Sequence, residues 1–457
     1  MSAGNLLLLI LVLAVVGHYA GYRRAFTLSR TGVSLPGLPI HYGSYVALLW
    51  LLPALAILLL WVALDDILIK RILIESLPDG YLSAQDKNSD LILYLIANVA
   101  DGTQSSQDLV IVASADKLNA LEATNGQLMS VACLLVAACG GLSAWRRIRP
   151  LFHARSQVER IVMNILLGCA LVAVVTTVGI FVSVLYESLI FFEQVSLLEF
   201  LFGSEWSPQI ALRADQQGAS GSFGALPLFA GTALVAALAM LVAAPLGLMS
   251  AIYLSEYASS AMRQRIKPAL EVLAGIPSVV YGFFAALTVA PFIRDIGGSL
   301  GLQTSSESAL AAGLVMGIMI IPFISSLADD IIHAVPTSLR DASLALGATK
   351  SETVKRVVLR AALPGIAGGM LLGMSRAIGE TMIVVMAAGL SANLTANPLE
   401  SVTTVTVQIV TLLVGDQEFD SPKTLAAFAL GLVLFLVTLA LNMLALQIVK
   451  AYREQYD

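Results

Sequence analysis

The sequence is short of charge. Of its 457 residues only 12% are Asp, Glu, Lys or Arg, about half the share of roughly 25% found in soluble domains. A chain of this length in water would need charge over its whole surface, and a composition that is 58% hydrophobic leaves too little for that. A soluble enzyme and a disordered chain are thereby excluded. Basic excess is missing too: 26 Lys and Arg stand against 31 Asp and Glu, a net charge of −5, so nothing here is fitted to neutralise a nucleic-acid backbone. Cysteine is scarce. Cys133, Cys139 and Cys169 lie in apolar runs without ligand spacing, and the four histidines are scattered, so neither a disulfide framework nor a metal site is expected. Long hydrophobic runs are what the chain has in plenty, and they place it in a bilayer.

A hydrocarbon core about 30 Å thick takes about 20 apolar residues per helix. Nine stretches qualify as spans: residues 6–19, 45–64, 128–145, 161–185, 226–254, 272–293, 310–327, 366–390 and 425–449. A further stretch, 402–414, is short and rich in Thr and reads as an interfacial or re-entrant helix. With nine spans, 18 of the 26 Lys and Arg fall in one alternating set of loops and seven in the other, leaving Arg376 inside a span. The positive-inside rule then puts the N-terminus outside and the C-terminus in the cytoplasm. In the first run the arginines follow the apolar stretch and no cleavage site is clear, so it reads as an N-out helix, not a secretory signal. Trp50, Trp61, Trp145 and Trp206 read as interfacial anchors.

The chain divides near residue 155. Residues 1–155 hold three spans and an outer loop at 65–124, which forms either a small helical cap or extensions of the flanking helices with a solvated loop. Residues 156–457 hold six spans and every motif. The loop at 337–364 has derivable local structure. Ser338 followed by Asp341 resembles a capping box, opening a helix that Gly347 can close in a left-handed conformation. Thr349 and Glu352 form a second box, ahead of an apolar stripe of Val354, Val357 and Val358 with Lys355, Arg356 and Arg360 facing elsewhere, and Pro364 is expected to end that helix. Such a helix, glycine elbow and helix suits either a groove on another protein or the membrane surface. GATKS at 347–351 approaches a phosphate-binding loop, but Thr349 stands where Gly is needed and no strand precedes it, so ATP hydrolysis by this chain is not expected.

Inside the eighth stretch lies SRAIGET, residues 375–381. Arg376 and Glu380 are four apart and on a continuous helix would share a face. A charge at bilayer depth costs at least about 2.5 kcal/mol. Two readings stand: a structural ion pair, or a fixed positive site for a crossing anion with Glu380 orienting it, since the planar guanidinium can hold two oxygens at once. Glu271 reads as a carboxylate at the start of the sixth span, favourable at a helix N-terminus. Pro277 reads as a kink. Asp329 and Asp330 read as solvated, or paired with the basic residues of the loop that follows.

Asp341, Ala342, Ser343 and Gly347, with Val357 and Leu359 further on, resemble the EAA motif of ABC importer permeases. Asp341 replaces the usual Glu, and Arg360 stands where the motif has Pro. The resemblance implies that this loop seats in an ATP-binding subunit. SRAIGET, together with IPSVVYG at 276–282, resembles the PstC-type permeases of phosphate ABC importers within the MetI-like permease family, over residues 155–457. It implies an all-α membrane fold whose last six helices form the permease core, with translocation residues Arg376 and Glu380 and coupling residues Asp341, Ala342, Ser343, Gly347 and Leu359. It also implies a bacterial inner-membrane location, a PstA-like partner, a PstB-like ATPase dimer holding ATP and Mg, a PstS-like periplasmic phosphate-binding protein, and no cofactor in this chain. Rival readings are a permease for sulfate or molybdate, a proton-coupled secondary transporter working alone, and a regulatory membrane protein.

Overall fold

The computed structural model describes residues 3–31, 35–78, 89–104, 108–210, 220–414 and 421–452. Among the described residues nine helices are long and apolar enough to cross a membrane. The chain separates into two compact units, Met1–Val175 and Thr176–Asp457, a division that falls inside its fourth long helix.

The first unit is built from α1 (Ala3–Arg30), α2 (Pro39–Glu75), α3 (Ser89–Ala100), α4 (Leu109–Arg147) and the first half of α5 (Ala154–Gln194). Glycines let α1, α2 and α4 approach closely: a Cβ on Gly21 would meet the Tyr42 carbonyl oxygen at 2.9 Å, and one on Gly140 the Leu49 carbonyl oxygen at 2.2 Å. Trp50 fills the space against Gly17 and Gly141, and Trp61 donates to Asn125 Oδ1 at 3.0 Å. These two half-buried indoles therefore pack between helices; Trp145 is 40% exposed, with the Arg24 guanidinium 4.0 Å from its ring centroid. In the 65–124 region α2 and α4 run on beyond their apolar stretches, and α3 lies on them through Leu73, Ile92, Ile96, Ile111 and Ala115. Helical extension and a small cap coexist there, with 79–88 and 105–107 outside the described residues.

The second unit continues α5 into α6 (Leu197–Phe202), then a hairpin of β1 (Trp206–Ile210) and β2 (Ser220–Phe223) paired antiparallel. Trp206 is buried and donates to Gln408 Oε1 at 3.0 Å, which corrects its reading as an interfacial anchor. Next come α7 (Leu226–Ile252), a π-helical turn (Tyr253–Tyr257) and α8 (Ser260–Ala274). The sixth span is α9 (Ser278–Phe284), a π-helical turn (Ala285–Val289) and α10 (Ala290–Ser299). α11 (Ala309–His333) is the centre of the core, packed on α7 where a Cβ on Gly317 would meet the Ala239 carbonyl oxygen at 2.9 Å.

The loop at 337–364 holds α12 (Thr337–Ala345) and α13 (Lys350–Thr353), followed by a π-helical turn (Val354–Val358) and the start of α14 (Leu359–Ile378). Then follow α15 (Met382–Ala387), α16 (Val405–Leu413) and α17 (Pro422–Tyr452).

Three boundaries differ from expectation. Pro277 does not kink a helix: it caps the start of α9, and the sixth span begins at Ser278, so residues 272–274 belong to α8. Pro364 does not end its helix. α14 runs through it, because Ala362 and Ile366 on either side are buried among neighbours that hold the helix despite the missing N–H. The eighth span does not reach 390: α14 stops at Ile378, and α15 begins only at Met382. α16, at nine residues, is too short to span, and its Val405, Val407 and Leu412 are buried. A re-entrant piece of backbone is tolerated at depth when protein surrounds it.

A broken helix, a cavity beside Arg376 and a clamped loop

Gly379 caps α14, so Arg376 and Glu380 do not share a helical face, and no ion pair joins them. The i, i+4 expectation fails because the helix carrying it ends between the two residues. Glu380 serves the break itself. Its Oε1 accepts from the Met382 N–H at 3.1 Å, supplying an acceptor at the start of α15, and its own carbonyl accepts from the Thr406 hydroxyl at 3.0 Å. Thr406 belongs to a buried polar set on α16 and the chain before it. Val405 N donates to the Thr232 hydroxyl at 3.1 Å, and the Gln408 amide donates to the Leu390 carbonyl and the Thr403 hydroxyl, each at 3.3 Å. Backbone groups freed by the broken segment thus find side-chain partners at depth.

IPSVVYG gains a structural account. The Tyr281 hydroxyl donates to the Leu273 carbonyl at 2.9 Å, closing the end of α8. Gly282 allows close approach to α15, where a Cβ would lie 2.7 Å from Met386 Sδ and 3.1 Å from the Met382 carbonyl oxygen.

Arg376 lies over Phe323, its guanidinium carbon 5.4 Å from the ring centroid. Among the described residues it has no carboxylate partner. It borders a cavity of about 260 Å³ whose walls also carry Lys267 and Glu271 from α8 and Phe323, Ser325 and Asp329 from α11. At the cavity edge Asp329, only 2% exposed, is saturated with cations. Arg263 Nη2 donates to its two oxygens at 3.2 and 2.9 Å, and Lys267 Nζ to Oδ2 at 3.1 Å and to Asp330 Oδ1 at 3.3 Å. The hydrogen bond to Asp329 holds the Lys267 ammonium above the ordinary lysine range, against the cost of burial. Asp329 thus pairs with α8 and not with the loop after α11, while Asp330, with its side chain 66% exposed, is largely solvated as well as bonded to Lys267. Glu271 lies in the last turn of α8, not at a helix N-terminus, so the favourable end charge expected for it is absent.

The loop's elbow has the expected form at Gly347 and differs at its start. Thr337 opens α12 after Pro336 with no side-chain cap, so Ser338 and Asp341 form no capping box. Gly347 has φ +84°, and the Gly347 and Ala348 N–H groups bond to the Leu344 and Ser343 carbonyls at 2.9 and 3.2 Å, a Schellman closure. Thr349 and Glu352 make a complete capping box. Ser343 and Thr353 bridge the elbow through their hydroxyls at 2.9 Å. Asp341, Ala342 and Gly347 face outward, as do Leu344 and Leu346, and α12 buries none of its residues. Leu359 instead packs inward with Ala251, Ile332 and Val358.

Arg340 is the residue that ties the loop down. Its Nη2 donates to Glu256 Oε1 at 2.9 Å and to the Ile332 carbonyl at 2.8 Å, and its Nη1 donates to the Val335 carbonyl. Lys350 adds a cation–π contact with Tyr257, 5.2 Å from the ring centroid. The signal for Arg340 was absent locally: Glu256 lies 84 residues away.

Residues 7–176 match the family described as phosphate ATP-binding cassette transporter, and residues 243–454 match the binding-protein-dependent transport system inner membrane component. The probable ABC transporter permease protein YqgH of Bacillus subtilis is 34% identical over 276 residues, which are 60% of this chain and 85% of that protein. The phosphate transport system permease protein PstC of Xylella fastidiosa is 35% identical over 268 residues, 55% of this chain and 78% of that one. PstC of Mesorhizobium japonicum is 32% identical over 308 residues, 63% and 86%. An inward-facing structure of the MetNI methionine ABC transporter aligns with a TM-score of 0.36 at 19% identity, covering 50% of this chain and 95% of that one. At that score it adds nothing to the family matches. The nine apolar helices, the loop at 337–364 and these relatives place the chain in the PstC-like permeases of the binding-protein-dependent transport family, multi-pass inner-membrane components and not enzymes.

Proposed function

We propose that this subunit carries inorganic phosphate through the inner membrane past Arg376, by alternating access driven by separate ATPase subunits. The observation that carries the reading is a guanidinium beside a helix break and a cavity, with no carboxylate to neutralise it among the described residues. Arg376 is exposed, so its unpaired guanidinium is open to a transient anionic partner that could take two oxygens on its fork. Glu380 takes a supporting role, shaping the break next to Arg376.

The exposed loop residues Asp341, Ala342 and Gly347, with the half-buried Ser343, form the contact with a PstB-like ATPase dimer, which binds ATP and Mg. Leu359 supports that contact from beneath. A PstA-like subunit and a PstS-like phosphate-binding protein complete the importer. Residues 1–155 form an extension to a permease core of 156–457, with the N-terminus periplasmic and the C-terminus cytoplasmic. Arg376→Gln should abolish ATP-dependent phosphate uptake by proteoliposomes holding the assembled importer and its binding protein, with the subunits still co-purifying. Normal uptake by that variant overturns the role of Arg376.

A further inference from the structure

Two carboxylates border the cavity beside Arg376, and their states differ. Asp329 is spent on Arg263 and Lys267. Glu271 has no ion pair and no side-chain hydrogen bond among the described residues, though it lines the same cavity. It also sits in the last turn of α8, the end of a helix where a negative charge is disfavoured. A free carboxylate at the wrong helix end, facing an anion site, works against the binding of any anion unless that anion brings a proton.

We propose that Glu271 makes the cavity selective for protonated oxyanions, accepting a hydrogen bond from a P–OH of phosphate and repelling sulfate. This rests on the assignment of Arg376 as the anion site. Inorganic phosphate keeps one or two hydroxyls at neutral pH, whereas sulfate keeps none. An ionised carboxylate is an acceptor only, so it can hold the first and not the second. Arg376 takes the unprotonated oxygens through its fork. Ser325, on the same wall, can donate to either anion and so does not discriminate.

The test uses the full chain in lipid nanodiscs, with the unfolding midpoint followed against sodium phosphate and sodium sulfate at matched ionic strength. A ligand that binds only the folded state raises the midpoint with concentration. Phosphate should raise it in the wild type and sulfate should not. In Glu271→Gln sulfate should gain an effect, with the preference for phosphate falling on the order of tenfold; Glu271→Ala should do the same by removing the charge. Arg376→Gln should remove the response to phosphate. Equal responses of the wild type to the two anions, or variants at 271 that stay blind to sulfate, overturn the selectivity role and leave Arg376 standing. A wild type that ignores phosphate removes the anion site itself, and the inference with it.

Discussion

Asp329 has the environment that a buried carboxylate requires: two cationic partners on a neighbouring helix and hydrogen bonds to both of its oxygens. Removing it would take the carboxylate from Arg263 and leave Lys267 only Asp330, the two side chains being 28% and 33% exposed. Partly solvated partners place the cost of Asp329→Ala at the low end for a broken buried pair, about 3 kcal/mol, measurable as a fall in the unfolding midpoint of the detergent-solubilised chain. The pH dependence follows from the same bond. Lys267 has its folded-state pKa raised, so its contribution is fully present below the unfolded lysine value, about 10.4, and is lost as pH rises through the folded value. Thermal stability should therefore be flat through neutral pH and decline in the alkaline range, and Lys267→Met should remove much of that decline. A decline unchanged in Lys267→Met would refute the assignment.

At the scale of elements, what could be read in advance was local. Gly347 followed by Thr349 and Glu352 dictates an elbow and a capped helix within a few residues of one another, and those features stand as expected. Helix ends that depend on distant partners could not be read. The break at Gly379 holds because Thr406, 26 residues on, takes the Glu380 carbonyl, and the end of α8 holds because Tyr281 reaches back to Leu273. Periodicity alone runs straight through both, which is why Arg376 and Glu380 seemed to share a face. Arg376 itself was legible, since a lone basic residue in an apolar run is conspicuous. Its cavity partners come from α8 and α11 and were not. The elbow yields a test of its own. At Gly347 no neighbouring atom lies within 4 Å of an added Cβ, so Gly347→Ala meets only the left-handed backbone, a cost of about 1 kcal/mol. Binding of the ATPase subunit should weaken several-fold, read by titration of the solubilised permease. Affinity equal to the wild type would show that the loop's conformation does not govern docking.

The whole chain carries two sets of cores. Those around Cys133 and Tyr42 lie in residues 1–175, and those around Met316 and Phe191 lie in 176–457. Separate cores imply separable stabilities. A Cβ at Gly141 would fall 1.6 Å from Trp50 Nε1, with the ring wedged between helices. Gly141→Val should thus cost roughly 3 kcal/mol by overpacking. Hydrogen exchange should speed up across α1, α2 and α4 while α11 keeps wild-type protection. Equal loss in α11 would mean that the chain unfolds as one cooperative body. Among the described residues the apolar window of α5 buries none of its side chains, as suits a helix that faces lipid.

Arg340 binds the loop to the ends of both α7 and α11, through Glu256 on one side and the Ile332 and Val335 carbonyls on the other, and α11 also carries Asp329 and Phe323 at the cavity. A joint of this kind works in both directions. If seating the loop in an ATPase changes the free energy of an anion beside Arg376, the anion must change the affinity of the loop for the ATPase by the same factor. Substrate would then be not only cargo but an effector, reporting its own presence to the motor through a single guanidinium.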